Sequence, residues 1–428
     1  MKNFKNSGIE WLGEIPEHWE MKPLRAIFNQ RNEQNKVLEL QTILSLVKDV
    51  GVIPYEEKGN IGNKSKDDLQ GYKIARINDL VLNKMNAVIG SLGVSKYNGL
   101  VSPIYLVLYI NDFNKIINYY SYIFQTKTVQ KFLRKFAYGI MEIRESIEFI
   151  DFKKMFLPLP PLKEQEQIAN FLDEKCEKIQ NFIEKKEKLL SLLQEQKQAL
   201  INETITKGLD KNVKFKNSGI EWLGEIPEHW EMVRLANFGI FLKGNGISRQ
   251  DLIEDGEPAI HYGDIYTKYE ISTTALKSRI STETAQNITS IHNGDILFAG
   301  SGETKEDIGK NIVYLGKEKA FAGGDVIIFR QKKNNALFLS YALNTKYVKS
   351  LKGIDSKGEI IVHIYASNLK DIKIPIPPLK EQEQIANFLD EKCEKIDSLI
   401  TKIKKQIELI KEYKTTLINE AVCGRMDL

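Results

Sequence analysis

The sequence FKNSGIEWLGEIPEHWEM occurs at Phe4–Met21 and again, with all 18 residues identical, at Phe215–Met232. A second sequence, PPLKEQEQIANFLDEKCEKI, occurs at Pro160–Ile179 and returns unchanged at Pro377–Ile396. A period of about 210 residues is far too long for a solenoid repeat. The duplication therefore predicts two similar domains related by a pseudo-two-fold axis.

Each copy of the second block predicts the start of a long helix, since its prolines end the preceding segment and permit a first helical turn. Apolar residues then repeat at heptad positions a and d over about five heptads. This pattern predicts two helices of about 40 residues, each about 60 Å long, that pair as an antiparallel coiled coil. The alternative is that each helix lies on the surface of its own domain. The residues predicted to pair are Leu172, Ile179, Ile183, Leu190, Leu193, Leu389, Ile396, Ile400, Ile407 and Ile410.

The segments between the blocks, 22–154 and 233–374, share no long identical string, although Asn78–Leu82 resembles Asn293–Leu297. Both segments combine strand-like runs of β-branched and aromatic residues with helix-like runs at Asn118–Phe136 and Leu337–Leu351. We therefore expect an α+β fold: two similar globular α/β domains joined by the two long helices. The predicted boundaries are 1–157 and 212–374 for the globular domains, 158–211 for the first spacer helix with its linker, and 375–428 for the second. The strand-like runs are Leu80–Leu82, Ile104–Ile110, Asp295–Phe298, Asn311–Leu315 and Val326–Arg330.

The composition is that of an ordinary globular chain: 42% of its 428 residues are hydrophobic and 28% are charged. This balance argues against a disordered chain. No signal peptide or apolar run of membrane-spanning length is visible, and three cysteines do not suggest a disulfide framework. A cytoplasmic location without membrane contact is expected.

Motifs that would mark a catalytic site are missing from the sequence. Gly302–Asn311 has the wrong spacing for a phosphate-binding loop, and no glycine-rich dinucleotide fingerprint is present. The five histidines and three cysteines form no set with metal-ligand spacing. Ser301 lies in a near match to a nucleophile motif but reads as a loop hydroxyl. His18 and His229, in the duplicated block, are predicted to be structural. We expect no catalytic residue and no metal site.

The segments between the blocks carry the positive charge. Residues 22–154 hold 20 Lys and Arg against 13 Asp and Glu, and residues 233–374 hold 19 against 16. Double-stranded DNA attracts such a field, and Asn, Arg, Lys and Ser side chains can contact base edges or phosphates. The alternative for each residue is an ordinary solvated loop. The candidate DNA contacts are Lys64, Lys66, Lys84, Asn86, Ser91, Lys96 and Tyr97, and, in the second domain, Lys243, Asn245, Arg249, Tyr262, Tyr266, Lys268, Ser301, Thr304, Lys305 and Lys310.

Together the duplicated blocks resemble those of the specificity subunit, HsdS, of type I restriction–modification systems. The resemblance is carried by IEWLGEIPEHWE at Ile9–Glu20 and Ile220–Glu231, and by PPLKEQEQIANFL at Pro160–Leu172 and Pro377–Leu389. It implies a non-catalytic subunit that reads a bipartite, asymmetric DNA site through two target-recognition domains. It also implies two methyltransferase (modification) subunits and further restriction/translocase subunits as partners. S-adenosylmethionine, ATP and Mg²⁺ would belong to those partners, with no cofactor in this chain.

Two other functions remain open on the sequence alone. The chain could be a standalone DNA enzyme whose site has no recognisable motif, in which case the purified chain would cut DNA with Mg²⁺ alone. It could also be a duplicated adaptor that binds protein, in which case it would not bind DNA even beside methyltransferase partners.

Overall fold

The computed structural model describes residues 3–36, 40–48, 50–59, 69–112, 115–138, 146–221, 223–358 and 361–428. The chain forms two compact units. The first combines Met1–Lys186 with Lys404–Leu428, and the second is Glu187–Ile403. Each unit contains one copy of the first duplicated block and part of both long helices.

The first unit has small sheets packed beside short helices. Its helices are α1 (Ile117–Gln125), α2 (Lys127–Leu133), α3 (Phe149–Phe152) and the first part of α4 (Leu162–Lys207). Its strands are β1 (Phe4–Asn6), β2 (Glu14–Pro16), β3 (Glu20–Pro23), β4 (Asn29–Gln30), β5 (Leu44–Val47), β6 (Gly51–Pro54), β7 (Lys73–Ala75), β8 (Leu80–Asn83), β9 (Leu92–Val94), β10 (Gly99–Val101), β11 (Tyr105–Tyr109), β12 (Ala137–Tyr138), β13 (Ser146–Ile147) and β14 (Phe156–Leu159).

The second unit repeats this plan with longer strands. Its helices are α5 (Tyr262–Thr267), α6 (Thr282–Ala285), α7 (Ala336–Leu343), α8 (Lys346–Ile354), α9 (Ala366–Lys370) and the first part of α10 (Leu379–Val422). Its strands are β15 (Phe215–Asn217), β16 (Glu225–Pro227), β17 (Glu231–Arg234), β18 (Gly239–Lys243), β19 (Glu257–Ile260), β20 (Ser272–Thr273), β21 (Ser278–Ile280), β22 (Thr289–Ile291), β23 (Ile296–Ala299), β24 (Ser301–Gly302), β25 (Asn311–Tyr314), β26 (Ala320–Ala322), β27 (Val326–Gln331), β28 (Val362–His363) and β29 (Lys373–Ile376).

A central antiparallel sheet occupies the same place in both halves of the sequence. Its described strands run in the order β4-β11-β8-β9 in the first unit and β18-β27-β23-β25-β20 in the second, where β20 joins parallel to β25. The inner strands β8 and β23 are buried along their whole length, which explains their apolar runs LVL and ILFA. The second unit also contains a four-stranded sheet, β21-β19-β26-β22. The α+β prediction is thus confirmed.

The two helix-like runs each fold as two helices instead of one. Thr126 separates α1 from α2, and Thr345 separates α7 from α8. Both threonines have an extended backbone, and each hydroxyl accepts a hydrogen bond from the backbone N–H three residues later. A threonine in this position caps a new helix instead of continuing the previous one. The periodicity of the apolar residues did not show the break.

The long helices α4 and α10 pair antiparallel. Their 46 and 44 residues give lengths of about 69 and 66 Å. In the second unit Lys197 Nζ of α4 contacts Asp397 of α10 at 2.7 Å. In the first unit burial raises the pKa of the Cys176 thiol, and the nearby Lys414 of α10 opposes that rise. Later residues of one helix therefore meet earlier residues of the other, which confirms the predicted coiled coil.

The apolar a and d residues lie on the covered side of both helices. Leu172, Ile179, Ile183, Leu389, Ile400 and Ile407 are buried, while Leu190, Leu193, Ile396 and Ile410 are half-buried. All three cysteines are free thiols and all three are buried.

The two duplicated blocks bind each other within each unit, at the first turn of the long helix. Trp19 Nε1–H donates to Glu164 Oε2 at 2.9 Å, and His18 Nε2 lies 2.7 Å from Glu164 Oε1. In the second unit the corresponding distances from Trp230 and His229 to Glu381 are 3.0 and 2.8 Å. Both histidines thus lie against the helix start. Strand pairs β3–β14 and β17–β29 bring the blocks together.

A buried glutamine closes the same junction in each unit. Gln382 is 2% exposed; its amide donates to Pro377 O at 2.8 Å, and its oxygen accepts from the Asn335 N–H at 2.9 Å. Gln165 makes equivalent bonds to Pro160 O and the Ile116 N–H, at 2.8 and 2.9 Å. Each glutamine therefore links the strand-to-helix turn to the start of α1 or α7.

One lysine of the second unit is completely buried. Lys352 Nζ donates to Gly309 O at 2.6 Å and to Leu343 O at 3.0 Å, and lies 3.4 Å from Asn311 Oδ1. Its described hydrogen-bond acceptors are neutral. Burial, helped by the charge of Lys349, lowers the pKa of Lys352 to about 7. The lysine fastens α8 to the segment that leads into β25.

We expect Gln382→Ala to lower the free energy of unfolding by about 1–3 kcal/mol, because it leaves the Asn335 N–H and Pro377 O buried without their partner. The exposed neighbour Gln384→Ala is the matched control and should change stability by less than about 0.5 kcal/mol. Urea unfolding measures both. Equal effects of the two substitutions would contradict the role given to Gln382.

Lys352 makes stability depend on pH. Its pKa of about 7 in the folded chain lies below the ordinary 10.5, so between these values the unfolded chain binds the extra proton. The contribution of Lys352 to the free energy of unfolding therefore rises as pH increases from about 7 to about 10. In Lys352→Met that rise should be smaller, whereas the exposed Lys346→Met should retain it. Urea unfolding at pH 7, 8 and 9 would reveal whether the slopes differ; parallel slopes would rule the effect out.

Candidate DNA interface

The predicted contacts of the first unit lie around the turns that follow β8 and β9. Asn86, Lys96 and Tyr97 are exposed there. Lys84 is half-buried, and its Nζ lies 3.5 Å from a Glu148 carboxylate oxygen. Ser91 is only 5% exposed, which leaves its hydroxyl little access to DNA. Lys64 and Lys66 lie outside the described residues.

The structure brings Lys84 together with Lys73, which is not among the predicted DNA contacts. Both lysines line a cleft, together with Gln30, Met85, Ile104 and Ser146 among others. Lys73 is the first residue of β7. Only a basic residue at the edge of an otherwise apolar strand, KIA, could have indicated it.

In the second unit two predicted loops meet at one pocket. Lys243, at the end of β18, and Gly300, just before β24, line it together with His363 and Tyr365. Ser301 Oγ lies 2.8 Å from His363 Nδ1, and Ser301 is 2% exposed. Ser301 therefore holds β24 against β28 instead of facing solvent. His363 and Tyr365 lie far from both loops in sequence, and no local pattern identified them.

Several predicted contacts of the second unit point into the fold. Lys310 Nζ donates to Tyr269 O at 2.7 Å, and burial lowers the pKa of this lysine. The Tyr266 hydroxyl is buried close to Gly302, where an added Cβ would approach it to 2.7 Å. Lys268 is exposed, although its Nζ forms an ion pair with Asp264 at 2.8 Å. Lys310 thus connects the loop between β24 and β25 to the segment after α5, and Tyr266 of α5 lies against Gly302.

The remaining predicted residues lie nearer the surface. Arg249, Thr304 and Lys305 are exposed. Tyr262 is half-buried, with its ring 4.3 Å from that of His261. Asn245 is exposed, but its amide donates to Asn287 O at 2.8 Å and its oxygen accepts from the Thr289 N–H at 2.8 Å. Asn245 thus links two loops and has limited freedom to read a base.

A buried aspartate orders the base of the loops in both units. Asp79 accepts two hydrogen bonds from Arg31, at 2.7 and 3.0 Å, and Asp295 accepts two from Arg330, at 2.9 and 2.7 Å. The similarity between Asn78–Leu82 and Asn293–Leu297 marks this position in the sequence. The arginine partner could not be found from this sequence similarity, because it has a different position in each unit. Arg31 follows β4, whereas Arg330 lies in β27. The same contact is therefore made from different strands.

Within the described part of the chain, no group of three or more His, Cys, Asp or Glu side chains is placed to hold a metal ion. The helices described there include none that is long and apolar enough to cross a membrane.

Comparison with known proteins agrees with this architecture. The family model for the type I restriction modification DNA specificity domain matches residues 16–192 and 227–409. The type I restriction enzyme MjaVIII specificity subunit of Methanocaldococcus jannaschii is 28% identical over 82% of this chain and 80% of its own. A chain of the same archaeon, provisionally named the MjaX specificity subunit, is 28% identical over 99% of this chain and 97% of its own.

Solved structures share the fold at 15% identity. A chain from a study of the assembly and conformational transition of a type I R-M system has a TM-score of 0.70, with 96% of this chain and 99% of that one covered. The HsdS subunit from Thermoanaerobacter tengcongensis has a TM-score of 0.51, with 96% and 98% covered. Because the family model matches both halves, and each match includes the junction of the duplicated blocks, this chain belongs to the family of type I restriction–modification DNA specificity subunits.

Proposed function

We propose that this chain recognises a bipartite, asymmetric DNA sequence, with each unit reading one half of the site. The observation that carries the proposal is the contrast between the two parts of each unit. The junction of the duplicated blocks has the same contacts in both units, from Trp and His to Glu and through a buried Gln. The loops beside the central sheets differ in sequence, length and side chains, so two similar frameworks present two different surfaces.

The reaction itself belongs to partner subunits in this proposal. The chain would bind two methyltransferase subunits and, with them, restriction and translocase subunits. S-adenosylmethionine, ATP and Mg²⁺ would be bound by those partners, in the cytoplasm where the DNA lies. Support comes from the chain's resemblance to specificity subunits and from its positive charge, which is concentrated in residues 22–154 and 233–374.

The direct test is methyl transfer by the purified chain with and without its modification subunit. We expect no transfer by the chain alone and adenine methylation once the modification subunit is added. Long-read sequencing of the methylated DNA would then give the recognised site. Methyl transfer or DNA cleavage by the chain alone would show an enzyme, and absence of DNA binding by the complete assembly would favour the protein-binding adaptor.

We expect recognition to be modular. Replacing residues 22–154 with the matching segment of a relative should change one half of the methylated site and leave the other half unchanged, because the contacts of Trp19 and His18 with Glu164 remain outside the exchanged segment. Replacing residues 233–374 is the reciprocal control and should change only the other half. Methylation mapping compares the two variants. A change in both halves after either exchange would show that the units do not read DNA separately.

Lys305 offers a test of the second unit, since it is exposed on the loop between β24 and β25. If its ammonium group contacts a phosphate, Lys305→Ala should reduce the slope of log K against log salt by about 0.9 for DNA binding by the assembly. Lys402→Ala, an exposed lysine of α10, is the control and should retain the original slope. An unchanged slope in the Lys305 variant would show that this lysine is an ordinary solvated loop residue that does not contact a phosphate.

A further inference from the structure

We propose that Lys73 and Lys84 bind one phosphodiester group of the DNA backbone, in the cleft that they line in the first unit. This inference rests on the proposed function and adds to it a specific anion site, one of whose two lysines the sequence did not indicate. The site would position the DNA without reading its sequence, since phosphate contacts carry no base information.

Lys73 extends into the cleft from the first position of strand β7. Its neighbours Ile74 and Ala75 in β7 are buried, and its own side chain is half-buried. Its Nζ donates to Tyr105 O at 2.7 Å, which fixes the direction of the ammonium group. An ammonium has three donor protons, so two can serve another acceptor. Burial lowers the pKa of Lys73, and the charge of Lys84 lowers it further.

Lys84 reaches the same cleft from the turn after β8. Its backbone carbonyl accepts from the Ile147 N–H at 3.1 Å, so the turn is tied to β13. Its Nζ is 3.5 Å from Glu148, at the limit of a hydrogen bond, and that glutamate side chain is 51% exposed. Glu148 therefore neutralises Lys84 only in part, and the charge of Lys84 acts on Lys73 in the same cleft. An anion bound between the ammonium groups would relieve their mutual repulsion.

The rest of the cleft fits a nucleotide backbone. Gln30 and Ser146 add neutral polar groups to the lining. Met85 and Ile104, which are 41% and 47% exposed, place apolar surface at the same cleft, where a deoxyribose could pack. Residues 22–154 have an excess of seven positive charges, which favours the polyanionic DNA backbone over an acidic peptide of low charge density.

The first experiment measures DNA binding against salt for the full chain assembled with its modification subunit. The double variant Lys73→Gln/Lys84→Gln should lower the slope of log K against log salt by about 0.9, the contribution of one phosphate, and each single variant should lower it by a smaller amount. Lys73→Arg should keep the slope, because it keeps the charge. Lys154→Gln is the control: this lysine is 59% exposed, pairs with Asp151 and lies outside the cleft.

The second experiment locates the phosphate. Single uncharged methylphosphonates are placed along one half-site of the DNA. One position should weaken binding by wild type and by Lys154→Gln, but weaken binding by Lys84→Gln to a smaller extent, because only Lys73 still contacts that phosphate in this variant. Methylation mapping should give the same recognised sequence for every variant.

The outcomes separate this site from the proposed function. If the wild-type assembly does not bind DNA, the proposed function fails. If it binds, but Lys84→Gln keeps both its salt slope and its sensitivity to every methylphosphonate, the phosphate site is wrong. A changed recognised sequence would instead show that the lysines contact bases. Lys84 lies on a turn and Lys73→Arg conserves charge, so this test holds even if Lys73→Gln does not fold.

Discussion

Each unit depends on one carboxylate at the first turn of its long helix. Glu164 and Glu381 each accept a hydrogen bond from a fully buried tryptophan and contact a histidine. A carboxylate near a helix N-terminus is also favoured by the helix dipole. The contact joins two blocks that are about 145 residues apart in sequence. Together with the buried glutamine beside it, it thus fixes the start and direction of the helix.

The block junction can stay constant while the loops vary because of the groups that form its hydrogen bonds. The bonds of both glutamines to the strand-to-helix turn and to the start of α1 or α7 involve backbone groups, which every loop sequence supplies, and Gln382 also donates to the Asn334 side chain. The aspartate–arginine pairs show the same independence, since the guanidinium comes from a different strand in each unit. A sheet edge can therefore carry new loops without disturbing the helix pair.

Lysines in this chain have three distinct roles, although each contributes equally to the net charge. Lys352 is buried and Lys310 is half-buried, and both donate to backbone carbonyls, so these lysines stabilise the fold. Lys197 links α4 to α10 through Asp397. Lys305 remains exposed, and Lys73 and Lys84 share a cleft. Only lysines of the last kind can add to binding of an external anion, because a buried ammonium already uses its donors inside the protein.

The sequence by itself determined the duplication, the α+β class, the inner strands and the antiparallel pairing of the helices, because each of these depends on repetition or on a local apolar period. It did not determine where α1 ends, since a single threonine cap interrupts the apolar run. Nor could it show which loop residues face solvent. Ser301 and Lys310 have the polar side chains expected of DNA-contacting loop residues. Their hydrogen-bond partners, however, lie within the protein, 62 and 41 residues away in sequence. Tertiary structure alone decided these positions, because a side chain turns inward only when the fold brings an acceptor to it.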